Sequence, residues 1–371
     1  MNLNKKVFVA LSGGVDSSVS AALLKKDGYD VTGVFIRVWQ PDFLPCTWRE
    51  ERRDAMRVAA KLSIPFLTLN LEKEYKRDVV DYMIREYKAG RTPNPDVMCN
   101  KYVKFGAFYK KARAMGADFV ATGHYAINRK TQNVKRKTFN SNSKLLIQGN
   151  NLLMATDKNK DQSYFLWTLN QEVLSHTFFP IGRYKKSEVR VLAKKFGLFT
   201  SDKKDSQGLC FVGKLNMKEF LSHFIKQKRG KVLNEKGEAI GLHNGAIFFT
   251  LGERHGFFII KNSSSNRPFY VVSKNIKKNT VTVSDKPGQL GLVSGKSIKI
   301  NGINWTAEIP KKRKEYKMQT RYHSPHFLVV FKKIGKNEAE ILIKKGHEII
   351  ALGQSAVFYD NEVCLGGGVI N

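Results

Sequence analysis

Apolar residues recur along this chain in two rhythms, and the change from one to the other divides it. In the first half, short β-rich runs alternate with stretches of helical period. Residues 6–11 (KVFVAL) predict a buried strand and 17–26 (SSVSAALLKK) the helix that follows. Strands are likewise predicted at 31–36 (VTGVFI), 65–71 (PFLTLNL) and 118–122 (DFVAT). A helix over 50–62 is expected to turn Met56, Ala59 and Ala60 inward. Residues 76–87 put Val79, Val80, Met83, Ile84 and Tyr87 at helical spacing, one stripe with a charged back. Further helices are predicted over about 101–115 and near 162–169 and 186–196. Such alternation builds a parallel sheet covered by helices on both faces.

Residues 128–150 are polar, basic and Asn/Ser-rich, and read as a long hairpin or flexible excursion. After about residue 228 the period becomes two: GKVLNEKGEAIG and FYVVSKNIKKNTVTVSD are strand-like runs punctuated by Gly and Asn. A break at 285–291 (DKPGQLG) precedes a last β-rich segment. The expected organisation is an α/β domain over 1–211, a mixed connector over 212–284 and a terminal β-barrel over 285–371.

Charge narrows the function. Lys and Arg number 64 against 32 Asp and Glu, a formal net charge of +32 over 371 residues. An excess of this size exceeds what solubility needs and points to a polyanion, with nucleic acid the best fit. A general preference for lysine explains part of it. The cysteines at 46, 99, 210 and 364 contain no CxxC pair, which argues against a zinc ribbon, an iron–sulfur cluster or a disulfide scaffold. No run of about eighteen apolar residues occurs, and the N-terminal apolar stretch enters a glycine loop instead of a cleavage site, so a cytoplasmic location is expected.

Three stretches carry candidate chemistry. ALSGGVDSS (10–18) leaves a strand and opens a helix, where backbone N–H groups and the helix dipole favour phosphate. Gly13 and Gly14 let backbone approach closely, Ser12, Ser17 and Ser18 offer hydroxyls, and Asp16 suits a magnesium ion or a loop contact. The patterns GxxxxGK[ST] and GxGxxG are absent. In AGRTPNPDVMCNKYVKF (89–105), Pro93 and Pro95 stiffen an exposed turn, and Asn100, Lys101 and Lys104 place donors and positive charge around Cys99, favouring thiolate. A small buried residue is the alternative reading of that cysteine. DSQGLCFVG (205–213) leaves Cys210 equally open between a core residue and a displayed thiol.

These stretches, with ATGHYA (121–126), KDQSYFLW (160–167), MQTRYHSP (318–325) and GQSAVFYDNEVCLGGGVI (353–370), stand in order over nearly the whole chain. Together they resemble the bacterial tRNA-specific 2-thiouridylases of the MnmA type, PP-loop ATP pyrophosphatases. The resemblance implies an N-terminal PP-loop domain, a small connector and a C-terminal β-barrel. It implies ATP, with Mg²⁺, on Ala10, Leu11, Ser12, Gly13, Gly14, Val15, Asp16 and Ser17, the adenine side reaching Ile36 and Gly123, and no permanently bound metal or cluster. Ile36 also reads as a strand-end core residue. The target base would meet Asn94, Pro95 and Asp96, and tRNA would meet His124, Lys160, Asp161, Gln162, Arg321, Tyr322 and Gln354. Cys210 would carry a persulfide and Cys99 would attack or resolve, through a transient disulfide. Asp96 would transfer a proton or merely cap a turn. Cys364 reads as core, and the family motifs do not require Cys46. The implied partners are the tRNAs for Lys, Glu and Gln, modified at the wobble uridine, and a cysteine desulfurase or sulfur-relay protein. A lysidine synthetase would not need two isolated cysteines, and a non-catalytic RNA binder would need neither thiols nor an intact SGGxDS.

If phosphates carry the binding, the logarithm of the tRNA association constant should fall linearly and steeply with the logarithm of salt concentration in a filter-binding titration. A flat titration would show that the net charge is not what binds RNA.

Overall fold

A computed structural model describes residues 5–44, 47–136, 145–204, 216–260, 267–286, 295–345 and 350–371. The N-terminal sheet contains β1 (Lys6–Ala10), β2 (Asp30–Arg37), β3 (Phe66–Asn70), β4 (Phe119–Ala121) and, after a hairpin of β5 (Ala126–Arg136) and β6 (Leu145–Met154), β7 (Thr177–Phe178). All five sheet strands are parallel, in the order β3-β2-β1-β4-β7. A central parallel strand is covered on both faces, and so reads as an unbroken apolar run. β1 obeys this: Val7 and Val9 point into one core and Phe8 into another, all three buried.

The helices follow the predicted stripes with one correction. Val79, Val80, Met83, Ile84 and Tyr87 are all buried. In the helix Trp48–Lys61 the inward residues are Ala55, Val58 and Ala59, while Met56 is 42% exposed and Ala60 lies on the outside. The stripe runs 55, 58, 59, 62, ending on Leu62, because the spacing i, i+3, i+4, i+7 is met only in that phase. The helix expected near 162–169 shortens to a single 3₁₀ turn, Ser163–Leu166.

The central part is a five-stranded sheet of β8 (Gly230–Leu233), β9 (Ala239–His243), β10 (Phe257–Ile259), β11 (Tyr270–Asn275) and β12 (Thr280–Ser284), ordered β10-β9-β8-β12-β11. It is mixed, because β12 runs parallel to β8. The terminal part contains β13 (Ser297–Trp305), β14 (Glu315–Gln319), β15 (Phe327–Ile334), β16 (Glu338–Lys345), β17 (Ser355–Asp360) and β18 (Val363–Ile370). These run β13-β16-β15-β14-β17-β18, and β13 pairs again with β18 to close an antiparallel barrel around Met318, Phe327, Phe331, Ile341 and Phe358.

Two features join the N-terminal half to the barrel. The segment 128–150, read as a long hairpin or flexible excursion, belongs to the β5–β6 hairpin, and β6 pairs with β18 at Leu153–Val363 and Leu152–Cys364, widening the barrel wall. The hairpin tip, 137–144, lies outside the described residues. Trp167, 2% exposed, packs on the glycine run of β18, where a Cβ on Gly367 would stand 3.1 Å from the indole and 2.5 Å from the Ala356 carbonyl oxygen. Gly367→Ala should therefore destabilise the fold by about 1–3 kcal/mol through overpacking. Thermal melting checks this against Gly335→Ala, whose Cβ would stand no closer than 3.2 Å to its neighbours and should melt near wild type.

Candidate active site

The order β2-β1-β4 makes β1 a topological switch point: the chain leaves it toward β2 on one side and returns as β4 on the other. In open α/β sheets ligands settle in the crevice beyond the carboxyl ends of such strands. Ala10–Ser17 lies there, running from the end of β1 into the helix Val15–Lys26. Gly14 is extended at the N-cap and contributes no side-chain cap, an arrangement that suits an anion at a helix start. Gly13 has φ of 74°, and a Cβ there would stand 2.7 Å from the Glu51 carbonyl oxygen. Only glycine fits that turn. The serines build the loop: Ser12 N–H donates to Ser17 Oγ at 3.2 Å, and the Ser17 and Ser18 hydroxyls donate to the Gly14 carbonyl at 3.1 and 2.7 Å. Gly123, just past β4, presses on the same helix start, where its Cβ would lie 2.7 Å from Ser17 N. Ile36, 4% exposed, sits near the carboxyl end of β2 in the core that also holds Cys99. Asp16 makes a loop contact: it accepts from the Tyr125 hydroxyl at 2.8 Å and from Lys186 Nζ at 2.8 Å on each oxygen.

The segment around Cys99 differs from its expected exposure. Thr92, Pro93, Val97, Met98, Cys99 and Asn100 are buried, and Cys99 is 0% exposed. The Pro-bracketed turn is covered because all three parts of the chain converge on it. From the barrel, Gln354 Nε2 donates to the carbonyls of Thr92 at 2.9 Å and Pro93 at 3.4 Å, and Thr92 N–H donates to the Leu352 carbonyl. Gly353, with φ of 89°, lies so close to Arg91 and Thr92 that a Cβ would meet both at about 3 Å. From the connector, the Thr250 hydroxyl lies 3.3 Å from that of Thr92. From the N-terminal part, Tyr164 accepts from Asn94 Nδ2 at 3.4 Å and donates to the Thr320 carbonyl at 2.9 Å. Asn94 caps the helix Pro95–Met98 by accepting from Val97 N–H, and Asp96, half-buried, lies in its first turn.

The residues expected to touch tRNA divide by exposure. His124 is 7% exposed, hydrogen-bonded to Thr122 Oγ1 at 2.7 Å, with its ring against Phe105 and Phe179. Burial, with Lys104 nearby, holds its pKa well below the usual histidine value, which keeps the imidazole neutral. That position exposes little surface. Asp161 accepts from Ala155 N–H and the Ser163 hydroxyl, both at 2.8 Å, and burial raises its carboxyl pKa. Gln162 exchanges bonds with the Tyr125 backbone at 2.8 and 3.0 Å. Both therefore shape the loop from which Lys160 projects, half-buried. Arg321 Nη2 donates to the Leu251 carbonyl at 2.6 Å, tying barrel to connector. Tyr322 lies against Phe165 and stacks on His323 at 3.8 Å, and burial, with Asp161 and Asp157, pushes its phenol up to about 12. A 730 Å³ groove lined by Asp161, Lys158, Lys317, Tyr322, His323 and His326 opens beside it.

Cys364 is core, as read from its strand: it is 0% exposed, and burial pushes its thiol up to about 12. Cys210 and Cys46 lie outside the described residues. Among the described residues no group of three His, Cys, Asp or Glu side chains could hold a metal, and no helix is long and apolar enough to cross a membrane. Sequence reasoning missed Lys186, Tyr125, Tyr164, Thr250 and Lys203. Only Tyr125 and Tyr164 stood inside motifs already singled out, and nothing distinguished the lysines from the other basic residues.

Known proteins resemble this chain along its whole length. Models described as "tRNA methyl transferase HUP domain", "tRNA methyl transferase PRC-barrel domain" and "Aminomethyltransferase beta-barrel domain" match residues 5–214, 218–285 and 295–370. A "tRNA-specific 2-thiouridylase MnmA" of Streptococcus thermophilus is 41% identical over 100% of this chain and 96% of its own length. One of Streptococcus pyogenes is 42% identical with the same coverage. Among solved structures, "U34-tRNA thiolase NcsA from Methanococcus maripaludis with its [4Fe-4S] cluster" covers 60% of this chain and 66% of its own at 17% identity and a TM-score of 0.36, so the full-length relatives decide. The model descriptions speak of methyl transfer and the relatives of thiolation. The full-length relatives, at 41–42% identity, decide between the two. By identity over its entire length, the chain belongs to the tRNA-specific 2-thiouridylase family.

Proposed function

We propose that this protein replaces the 2-oxygen of the wobble uridine of tRNA by sulfur at the expense of ATP. The observation that supports it best is the convergence of barrel, connector and N-terminal sheet on residues 92–99, which holds a thiol-bearing segment in place. The cradle at Gly13 and Gly14 and the close approach of Gly123 fit a triphosphate on 10–17, with adenine beside Ile36 and Gly123. Mg²⁺ would accompany the phosphates and offset their charge. The chain's own groups do the holding: loop N–H groups orient the phosphates, and Lys186 keeps Asp16 on the loop.

The chemistry needs two stages, because a uridine carbonyl oxygen is a poor leaving group. Transfer of AMP to that oxygen releases pyrophosphate and creates a good one. The terminal sulfur of a Cys210 persulfide then attacks C2 and AMP departs. Cys99 attacks the Cys210 sulfur, the electron pair of the broken S–S bond goes to the new thiouridine sulfur, and a Cys99–Cys210 disulfide forms. A dithiol, or two equivalents of a cellular thiol, must then reduce that disulfide to the two free thiols. Asn94, Pro95 and Asp96 would meet the base, and Asp96 would transfer the proton. Lys160, Arg321, Tyr322 and Gln354 are the proposed tRNA-side residues, with Asp161, Gln162 and the buried His124 shaping the surface. Substrates would be the tRNAs for Lys, Glu and Gln, and sulfur would come from a cysteine desulfurase or relay protein. Functional units at 1–211, 212–284 and 285–371 and a cytoplasmic setting complete the proposal.

Nucleoside mass analysis of tRNA after reaction tests it. Cys99→Ser and Cys210→Ser should abolish 2-thiouridine and Cys364→Ser should not; persistence of 2-thiouridine in either of the first two would overturn that thiol's role. Gln354→Ala should slow single-turnover thiolation by about 10- to 100-fold, because a small misplacement of 92–96 costs heavily in rate, while MgATP binding stays near wild type.

A further inference from the structure

One cation touches the phosphate loop from a direction that none of the motifs suggested. Lys203 Nζ donates to the Gly13 carbonyl at 3.1 Å and to Asp54 Oδ2 at 2.7 Å. Its backbone is itself held: Arg190 Nη1 donates to the carbonyls of Ser201 at 2.5 Å and Lys203 at 3.1 Å, and Lys203 N–H donates to the Thr200 carbonyl at 3.2 Å. Arg190 belongs to the helix Lys186–Lys195, whose first residue is the lysine paired with Asp16. One helix and the turn after it therefore brace the loop at two points.

The Gly13–Gly14 peptide is trans, and in a trans peptide the C=O and the following N–H point in opposite directions. Fixing the Gly13 carbonyl toward Lys203 fixes the Gly14 N–H away from it. Gly13, at φ of 74°, has no side chain to restrain that peptide plane, so a tether on its carbonyl from outside the loop bears directly on the plane. Lys203 suits this role because its ammonium is half-buried and anchored by the Asp54 carboxylate, and charge-assisted hydrogen bonds are roughly twice as strong as neutral ones.

We infer that Lys203 is a positioning residue for nucleotide binding, which sets the Gly13–Gly14 peptide so that the Gly14 N–H faces the phosphates. The inference rests on the ATP reading above. It makes Lys203 a determinant of affinity for MgATP and not of affinity for tRNA.

The test uses the full-length protein, with MgATP binding followed calorimetrically, pyrophosphate release measured in the presence of unmodified tRNA, and tRNA affinity measured separately. Lys203→Met should raise KM for MgATP about tenfold, the loss of one charge-assisted hydrogen bond, with kcat and tRNA affinity near wild type. Lys203→Arg keeps a cation for Asp54 and a donor for Gly13 and should recover KM to within about threefold. Lys204→Met, an exposed neighbour, should behave as wild type. Should Lys203→Met fold poorly, the Lys203→Arg and wild-type proteins carry the comparison: an arginine variant with KM more than tenfold raised and an unchanged melting temperature contradicts the tether. A KM within twofold of wild type in folded Lys203→Met overturns the inference while leaving the ATP reading intact. Parallel loss of MgATP affinity, tRNA affinity and melting temperature in Lys203→Met also overturns it, showing a general structural role. A wild-type protein that takes up no MgATP overturns the ATP reading and the inference together.

Discussion

The arrangement depends on how a buried irregular segment finds partners for its backbone. Residues 91–94 belong to neither helix nor sheet, yet Thr92 and Pro93 are buried, and a buried carbonyl left unpaired costs about 1–3 kcal/mol. The Gln354 amide meets that need from the barrel, with the Leu352 carbonyl taking the Thr92 N–H. Without the barrel, this stretch would have to seek water and rise from the core. Cys99 opens the helical stretch Cys99–Phe108 directly after Pro95–Met98, and the irregular stretch that leads into both is held by the turn at 352–354, far along the sequence.

The phosphate loop solves a different problem. Its described contacts with the rest of the protein are several: serine hydroxyls with Gly14, Asp16 with Lys186 and Tyr125, Gly13 with Lys203. The consequence is rigidity where the loop meets protein. Catalytic groups held this way lose little freedom when a substrate arrives.

Much of this could be read from residues alone. The parallel sheet, the stripe 79–87, the switch from period 3.6 to period 2 and the glycine-bearing loop are local patterns, and they appear where the periodicities put them. What failed did so for tertiary reasons. Met56 looked apolar and inward, but helical phase belongs to Ala55, Val58 and Ala59. The polar, proline-marked run 89–105 looked exposed, since nothing local announces that Gln354, Thr250 and Tyr164 will cover it. Lys186 and Lys203 were indistinguishable from other basic residues because their roles are set by which carbonyl or carboxylate they reach.

The pairing of β6 with β18 bears on how the protein is made. Leu152 and Leu153 leave the ribosome long before Val363 and Cys364, their partners in the sheet, and Thr92 is older still when Leu352 and Gln354 emerge. Such remote contacts carry the loop-closure entropy that slows folding, and domains otherwise tend to fold as they are synthesised. The loop of residues 10–17 finds its last described partner at Lys203, so it can form before the barrel is made. The hold on residues 92–94 cannot, because it waits for Leu352, Gln354 and the strands that follow them. A nascent polypeptide that had not yet reached β17 and β18 would carry the loop of residues 10–17 without the contacts that hold residues 92–94, so synthesis of the barrel must precede the anchoring of that segment.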